Sequence, residues 1–384
     1  MARHLICLLS QQLVPTYQTV KHFQPDCVWR IASHDSVKLD RPLRDTILRH
    51  IPQAPRLPDA QTTIVDSHWV MPSYDTVARL IESSPQDDEW IVNCTGGTKM
   101  MAGGALAAAL NARNLADRNV QIVYVDAQHE HAYFDACTGE KHALHGDLSV
   151  REYLGLFDVQ IPERLQYDRI KWMQLAVSWC REGAQYLPFN MQETELSKVR
   201  QGGATLPLQW RPDFPANLRC TLQRNLDTPN VPSWQMRYCT GDFLEYFIFH
   251  AMEVYRLELG IDEVLRGVRD VRREVGEVDL YVSRGGQLLV VECKSGTQRA
   301  ADIAGQLGNL QAKVRRIGAM RSRGLLVTSG ANALDEDGNV SNYVKTLARR
   351  HGIGLLLWRD IRDLALSFYD PPAAVRKLSE WMDS

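Results

Sequence analysis

The chain has 384 residues, long enough for two domains of common size. Apolar residues make up 45% and charged residues 23%, the balance of a soluble globular protein. A formal net charge of -2 excludes a globally basic nucleic-acid binder, so any nucleic-acid surface has to be local. The eight cysteines are scattered, with no CxxC pair, and several sit inside apolar runs. That usage argues for reduced thiols in a cytoplasmic protein and against a disulfide framework. The start, MARHLICLLSQQ, lacks the pattern of a signal peptide, and no apolar run approaches the ~18 residues of a membrane span.

In chain order, residues 1–145 alternate between strand and helix patterns. Strands are expected at 5–9, 27–33, 62–66, 89–95 and 119–127. Helices are expected at 15–24, 43–51, 73–83 (with Ser73 as N-cap) and 98–114. The run AYFDA (132–136) adds a hairpin. Strands separated by helices imply a parallel sheet covered on both faces, with ligands beyond the strand C-terminal ends. Ser10-Gln11-Gln12, Thr95–Met100 and Asp126 fall at such ends.

The stretch WIVNCTGGTKMMAGGALAAAL (90–110) reads as a strand, a glycine turn and a helix N-terminus. The first amides of a helix lack partners, and the macrodipole is positive there. Gly96 and Gly97 permit close backbone approach, Lys99 adds charge, and Thr95 and Thr98 add hydroxyl donors. The spacing is neither a Walker A loop nor GxGxxG. The plainer reading is a tight turn with a solvated lysine. Gly103-Gly104 inside the helix suggests close packing, such as a dimer seam.

Residues 146–235 hold a helix near 164–182, with Trp172 and Trp179 on one face as core or dimer contacts. A segment rich in Pro, Asn and Gln follows and reads as a connector plus insertion. Residues 236–384 form a second α/β unit with a mixed sheet. A helix runs through GDFLEYFIFHAMEVYRL, two strands (VDLYVS and QLLVVECK) meet at Arg284-Gly285-Gly286, and a helix covers 302–318. Strands are expected at 324–330 and 352–358, with a helix between them.

The hairpin carries the chemistry. With Gly285-Gly286 as a two-residue loop, Asp279 lies opposite Glu292 and Glu277 opposite Lys294. Alternation puts these four on one face with Tyr281 and Val290. The other face, Val278, Leu280 and Val282 against Leu289, Val291 and Cys293, is apolar. Carboxylates directly opposite each other repel. A divalent cation between them removes the conflict, and Mg²⁺ or Mn²⁺ takes such hard oxygen ligands. Asp279, Glu292 and the backbone carbonyl of Cys293 supply three. Lys294 is placed to orient or deprotonate water, or to stabilise charge on phosphorus. The plainer reading is a solvated face with a Glu277–Lys294 ion pair. Glu245 faces either solvent or the metal.

Two basic clusters flank the hairpin: Arg266, Arg269, Arg272 and Arg273 before it, and Lys313, Arg315, Arg316, Arg321 and Arg323 after it. They read either as solvated faces or as tracks for a phosphate backbone. Gln306 reads as exposed, and His129-Glu130-His131 with His142 and His145 as a polar hairpin surface, since the spacing fits no standard zinc site.

Asp279…Glu292-x-Lys294 on a hairpin, preceded by a helical glutamate, resembles the PD-(D/E)xK restriction-endonuclease-like superfamily. NCTGGTKMM at a strand end resembles the ligand loop of CARF domains (CRISPR-associated Rossmann fold). In this order, the two resemble the CARF–nuclease effectors of type III CRISPR systems. The resemblance implies a Rossmann-like CARF sensor over 1–145, a helical connector over 146–235 and a PD-(D/E)xK nuclease over 236–384. It implies catalytic roles for Asp279, Glu292, Lys294, Glu245 and Glu277, and ligand contacts from Ser10, Gln11, Gln12, Thr95, Gly96, Gly97, Thr98, Lys99, Met100 and Asp126. It also implies a homodimer activated by a cyclic oligoadenylate, with cyclic tetra-adenylate the expected ring, and Mn²⁺- or Mg²⁺-dependent cleavage of DNA, including single strands, or of RNA. Phe243 stands where such proteins commonly carry Trp, and 186–235 has no counterpart. Two rival readings are a non-catalytic nucleotide sensor or transcriptional regulator, and a restriction or repair nuclease that needs no ligand.

Overall fold

A computed structural model describes the chain except residues 59–61, 127–131, 146, 160–169, 183–197, 200, 206–208, 213, 227–229, 271–275, 296–299, 318–321, 330–340 and 384. The chain divides into two compact units. The first is Met1–Gln160 with two short later pieces, and the second is most of the remainder.

The first unit is a seven-stranded sheet in the order β3-β2-β1-β4-β5-β6-β7. Its strands are β1 (Arg3–Leu8), β2 (Cys27–Ala32), β3 (Thr63–Ile64), β4 (Glu89–Asn93), β5 (Val120–Asp126), β6 (Ala132–Asp135) and β7 (Lys141–Ala143). The first five run parallel, and β6 and β7 add antiparallel at the edge. The crossovers are α1 (Leu13–Phe23), α2 (Asp40–His50), α3 (Met71–Glu82) and α4 (Lys99–Leu115). Buried Ile6, Leu8, Ile31, Trp90, Val92 and Ile122 pack with Val77, Ile81, Met101, Ala105 and Ala109 from α3 and α4. The chain builds outward from β1 through β2 to β3, then returns to β4 on the other side of β1. That reversal places the switch point between the C-terminal ends of β1 and β4.

One expectation changes here. Ser73 is not the N-cap of α3, because Pro72 lets the helix start at Met71. Ser73 is buried instead and donates to the carbonyls of Val70 and Met101. The close packing expected at Gly103-Gly104 is present at Gly104: a Cβ there would lie 2.2 Å from Ser73 Oγ and 2.3 Å from Val70 O, so the glycine lets α3 and α4 touch.

α5 (Val150–Leu156) closes the first unit, its start fixed by a capping box between Ser149 and Glu152. The buried Glu152 carboxylate accepts from Tyr17 Oη at 2.7 Å and from Lys21 Nζ at 3.0 Å, which ties α5 to α1.

The second unit is a five-stranded sheet in the order β10-β11-β12-β13-β14, with β10 (Glu263–Arg269), β11 (Glu277–Arg284), β12 (Gln287–Lys294), β13 (Ser322–Thr328) and β14 (Ile353–Leu357). A two-stranded ladder of β8 (Ala204–Thr205) and β9 (Asn230–Val231) stands apart from it. β10 pairs antiparallel with β11, while β12, β13 and β14 run parallel, so the sheet is mixed. Val278, Leu280, Val282, Leu289, Val291 and Cys293 are buried in the main core, as their alternation requires. That core also takes Trp172 and Trp179 from α6 (Ile170–Arg181) and Phe243, Leu244 and Phe247 from a later helix, Phe243–Val254.

α7 (Ala216–Asn225), α8 (Ser233–Arg237) and α9 (Phe243–Val254) precede the sheet. α10 (Ala300–Arg316) lies over β13: a Cβ on Gly324 would sit 3.1 Å from Leu310 and 3.2 Å from Val314. Its buried Ile303, Leu307, Leu310 and Val314 recur at helical spacing. α11 (Asn342–His351), α12 (Trp358–Ser367) and α13 (Pro371–Asp383) complete the unit. All eight cysteines are free.

Candidate functional site

The glycine turn is built from β4 outward. Asn93 ends the strand, its side chain accepting from the Thr95 amide at 2.9 Å and donating to Thr19 Oγ1 at 2.9 Å. Thr95 Oγ1 accepts from the Val125 amide at 2.7 Å, which ties the turn to β5. Gly97 has φ +74°, a conformation that favours glycine. Gly96 is required by crowding: a Cβ there would lie 1.9 Å from the carbonyl oxygen of Leu8 and 3.5 Å from Ser10 Oγ. The loops after β1 and β4 therefore meet at the switch point, and Ser10 stands beside Gly96.

Thr98 caps α4. Its hydroxyl accepts from the Met101 amide at 3.3 Å and donates to Ser67 O at 2.8 Å. The hydroxyl hydrogen expected to serve an anion is thus committed to the fold. The amides of Lys99 and Met100 precede the first ladder bond, Ala102 N to Thr98 O. Lys99 and Met100 are exposed, as are Gln11 and Gln12, and Asp126 is half-buried at the end of β5. Of the histidine group, His129, Glu130 and His131 lie outside the described residues; His142 stacks on Tyr133, and the His145 ring lies tilted against His22.

At the turn between β11 and β12, Gly285 and Gly286 have φ of +53° and +72°, the pair of positive values that a type I′ hairpin needs. The turn has two residues, with β11 ending at Arg284 and β12 starting at Gln287. Asp279 Oδ2 accepts from the Cys293 amide at 2.6 Å and from Lys294 Nζ at 3.3 Å. Lys294 Nζ also donates to Glu292 Oε2 at 2.9 Å. One ammonium therefore lies between the two carboxylates, and Lys294 pairs with them and not with Glu277 as the plainer reading had it. Glu277 is exposed, and its carbonyl accepts from Lys313 Nζ at 2.6 Å.

Burial shifts these groups. It pushes Asp279 up to about 6, with Lys294 pulling down and Glu292 pushing up. Glu245, on the first turn of α9, is held well above the usual carboxylate range by burial, then by the charges of Asp279 and Asp242. Its carboxylate is largely covered and lies 3.6 Å from the Arg266 guanidinium. Burial alone would lower Lys294, but the charges of Asp279 and Glu292 outweigh it and hold the ammonium protonated.

The donor set fits a divalent cation. Both acids accept from one ammonium, that of Lys294, so the two carboxylates are close enough to share a cation. Among the described residues no group of three or more His, Cys, Asp or Glu side chains is arranged to hold a metal. Asp279 and Glu292 would do so with the Cys293 carbonyl, leaving the other positions to water and substrate.

Three residues depart from the sequence reading. Arg266 is no free cation: its guanidinium lies 4.0 Å from the centre of the Tyr246 ring and 3.6 Å from Glu245 Oε2. Lys313 is no member of a solvated track, since its ammonium donates to Glu292 Oε1 as well as to the Glu277 carbonyl. Gln306 is half-buried, with Oε1 enclosed and without a hydrogen-bond partner among the described residues. Arg315, Arg316 and Arg323 are exposed as expected, whereas Arg272, Arg273 and Arg321 lie outside the described residues.

Residues 4–153 match the Card1 CARF domain family. The matched span takes in the sheet with the switch point and ends within α5, just past Glu152. Among curated proteins none matches the chain in sequence. Among solved structures, the whole chain is similar to Can2 from Sulfobacillus thermosulfidooxidans in complex with cyclic tetra-adenylate, at 16% identity, 100% coverage of both chains and a TM-score of 0.70. Protein VC1899 from Vibrio cholerae is similar at 15% identity over 97% of this chain and 98% of that one, with a TM-score of 0.71. A type III CRISPR defence DNA nuclease activated by cyclic oligoadenylate is similar at 18% identity over 91% of this chain but 52% of its own, with a TM-score of 0.57. At these identities the likeness is one of fold, and it extends past the CARF domain into the second unit.

Proposed function

We propose that the chain is a nuclease of type III CRISPR defence, switched on by a cyclic oligoadenylate and dependent on Mn²⁺ or Mg²⁺. The observation that carries the proposal is the pair Asp279 and Glu292 converging on one cation in a chain whose other unit is a CARF domain. A solved structure of the same fold holds cyclic tetra-adenylate, which supports that ring as the activator. The loops Ser10–Gln12 and Thr95–Met100 meet at the switch point, where a parallel sheet binds ligands, and unladdered amides and Lys99 suit a phosphodiester. A ring of repeated units suits two copies of one loop about a two-fold axis, so the active form is a homodimer. It acts in the cytoplasm; among the described residues no helix is long and apolar enough to cross a membrane.

In the second unit Asp279, Glu292 and the Cys293 carbonyl hold the metal, which when bound supplies Lewis acidity and an activated water. Lys294, at the end of β12, serves to orient the attacking water or to stabilise the charge that develops on phosphorus. Glu245, whose carboxyl burial holds above the usual range, adds an acidic group on the first turn of α9. Arg266 orients it. The substrate is DNA, a choice supported by the fold shared with a DNA nuclease of type III CRISPR defence.

The test is a cleavage assay with Mn²⁺ on supercoiled plasmid, single-stranded DNA and RNA, with and without cyclic tetra-adenylate. Glu292→Ala serves as the control for contaminating nuclease. Cutting by the wild type with ligand only is the expected result. Cutting without ligand removes the switch, and equal cutting by Glu292→Ala removes the site.

A further inference from the structure

We propose that Lys313 is a positioning residue of the metal site, holding the far oxygen of Glu292 so that the near one faces Asp279. The proposal rests on the reading of Asp279 and Glu292 as metal ligands. Glu292 is buried, and each of its oxygens is bonded to a different ammonium. Oε2 belongs to Lys294, which it shares with Asp279. Oε1 belongs to Lys313, which reaches down from the adjacent helix.

The two lysines are not equivalent. Lys294 occupies the point between the acids, so a divalent ion bound there displaces it. Among the described residues Lys313 bonds the other oxygen of Glu292 and the Glu277 carbonyl, so an ion between the acids leaves its bonds in place.

Packing explains why Lys313 can do this. Leu310 and Val314, three residues before it and one after, are buried against the sheet and fix the helix face. The Lys313 side chain is 21% exposed, so its stem is covered and its head is confined to the acid. The Glu277 carbonyl gives the ammonium a second anchor on β11. Glu292 on β12 is thus braced from β11 and from α10. A ligating carboxylate braced in this way keeps its orientation through metal exchange, and losing such a brace typically costs 10–100-fold in affinity or activity. A lysine that merely solubilised the helix would cost nothing.

The experiment is Mn²⁺ binding followed by electron paramagnetic resonance on the full chain stripped of metal, with no nucleic acid present. Wild type, Lys313→Met, Lys313→Arg and Asp279→Asn are compared, and thermal melts in EDTA report folding. Lys313→Met should weaken Mn²⁺ binding by about 10–100-fold. Lys313→Arg keeps a charged donor at the same place and should recover most of the loss. In cleavage assays Lys313→Met should raise the Mn²⁺ concentration for half-maximal rate while saturating Mn²⁺ restores much of it.

Equal or tighter Mn²⁺ binding by a folded Lys313→Met overturns the proposal and leaves the nuclease reading standing. If Lys313→Met does not fold, the arginine variant decides: binding weakened as far as in Asp279→Asn overturns the positioning role. A wild type that binds no Mn²⁺ overturns both.

Discussion

Replacing Asp279 by Asn should stabilise the metal-free protein at neutral pH while ending its cleavage. Asp279 is pushed up to about 6 from an ordinary 3.8, first by burial, then by Glu292 against the pull of Lys294. A raised acid binds its proton more readily folded than unfolded, so the fold loses stability as pH rises between those values. Below about pH 4 both states are protonated and nothing is lost. Above about pH 6 the ionised, buried carboxylate carries the full cost, about 3 kcal/mol for a shift of about two units. Asparagine keeps an oxygen to accept from the Cys293 amide, which Asp279 does at 2.6 Å, and never ionises. The stability difference, Asp279→Asn minus wild type, should therefore favour the variant by about 3 kcal/mol more at pH 8 than at pH 4. At ~2–4 °C per kcal/mol for a domain of this size, that is a relative gain of roughly 6–12 °C. Calorimetric scans in EDTA at steps from pH 4 to 8 measure it. Adding Mn²⁺ at pH 8 should stabilise only the wild type. A difference that is flat with pH, or that favours the wild type increasingly as pH rises, would refute the argument that Asp279 is strained by burial in the absence of a cation.

Lys99→Ala should weaken cyclic tetra-adenylate binding by about tenfold or more, the worth of one charged contact, while leaving Mn²⁺ binding intact. Calorimetric titration checks this, and unchanged affinity would move the ligand away from the turn. Gly96→Ala places a methyl 1.9 Å from the Leu8 carbonyl and should cost the first unit about 3 kcal/mol or more, seen as a lowered melting transition. A wild-type melt would mean the turn can shift freely. Glu152→Ala removes the anion shared by Tyr17 and Lys21 and should cost about 3 kcal/mol. Burial raises Glu152, but the bonds from Tyr17, the Ser149 amide and Lys21 outweigh it and hold the carboxyl low. Its stabilisation is present above the ordinary 4.5 and lost as pH falls through the lowered value. Acid titrations in which wild type and variant lose stability in parallel would contradict that account.

The hairpin was legible because its rules are local. Two glycines fix the turn, and period-two alternation then assigns Val278, Leu280 and Val282 to the core and Asp279 and Glu292 to the other face. The glycine turn was legible for the same reason, though its cause was not: Gly96 yields to the Leu8 carbonyl, a contact 88 positions away in sequence. Long-range charge pairing was the illegible part. Arg266 and Lys313 sit in basic clusters, and spacing along one element says nothing of which acid a neighbouring element presents. Arg266 stacks on Tyr246 beside Glu245, and Lys313 meets Glu292, because α9 and α10 pack against this sheet. β10 was missed because the arginines of EVLRGVR read only as part of a basic cluster, whereas an edge strand tolerates charge.

The resting site balances its own charge, and this bears on how it works. Asp279 and Glu292 meet Lys294 and Lys313, so two negative groups face two positive ones. If Asp279 and Glu292 are the metal ligands proposed above, a divalent ion bound between them would replace two bonds made by Lys294, at 3.3 and 2.9 Å. The metal affinity would then be the net of that exchange, weaker than the donor set alone would give. Lys294, at the end of β12 and two residues from Glu292, would remain close by as a cation for the substrate. Lys294→Met should accordingly bind Mn²⁺ more tightly than the wild type and cleave far more slowly. Parallel losses of both would mean that Lys294 holds the acids in place and does not guard the point between them.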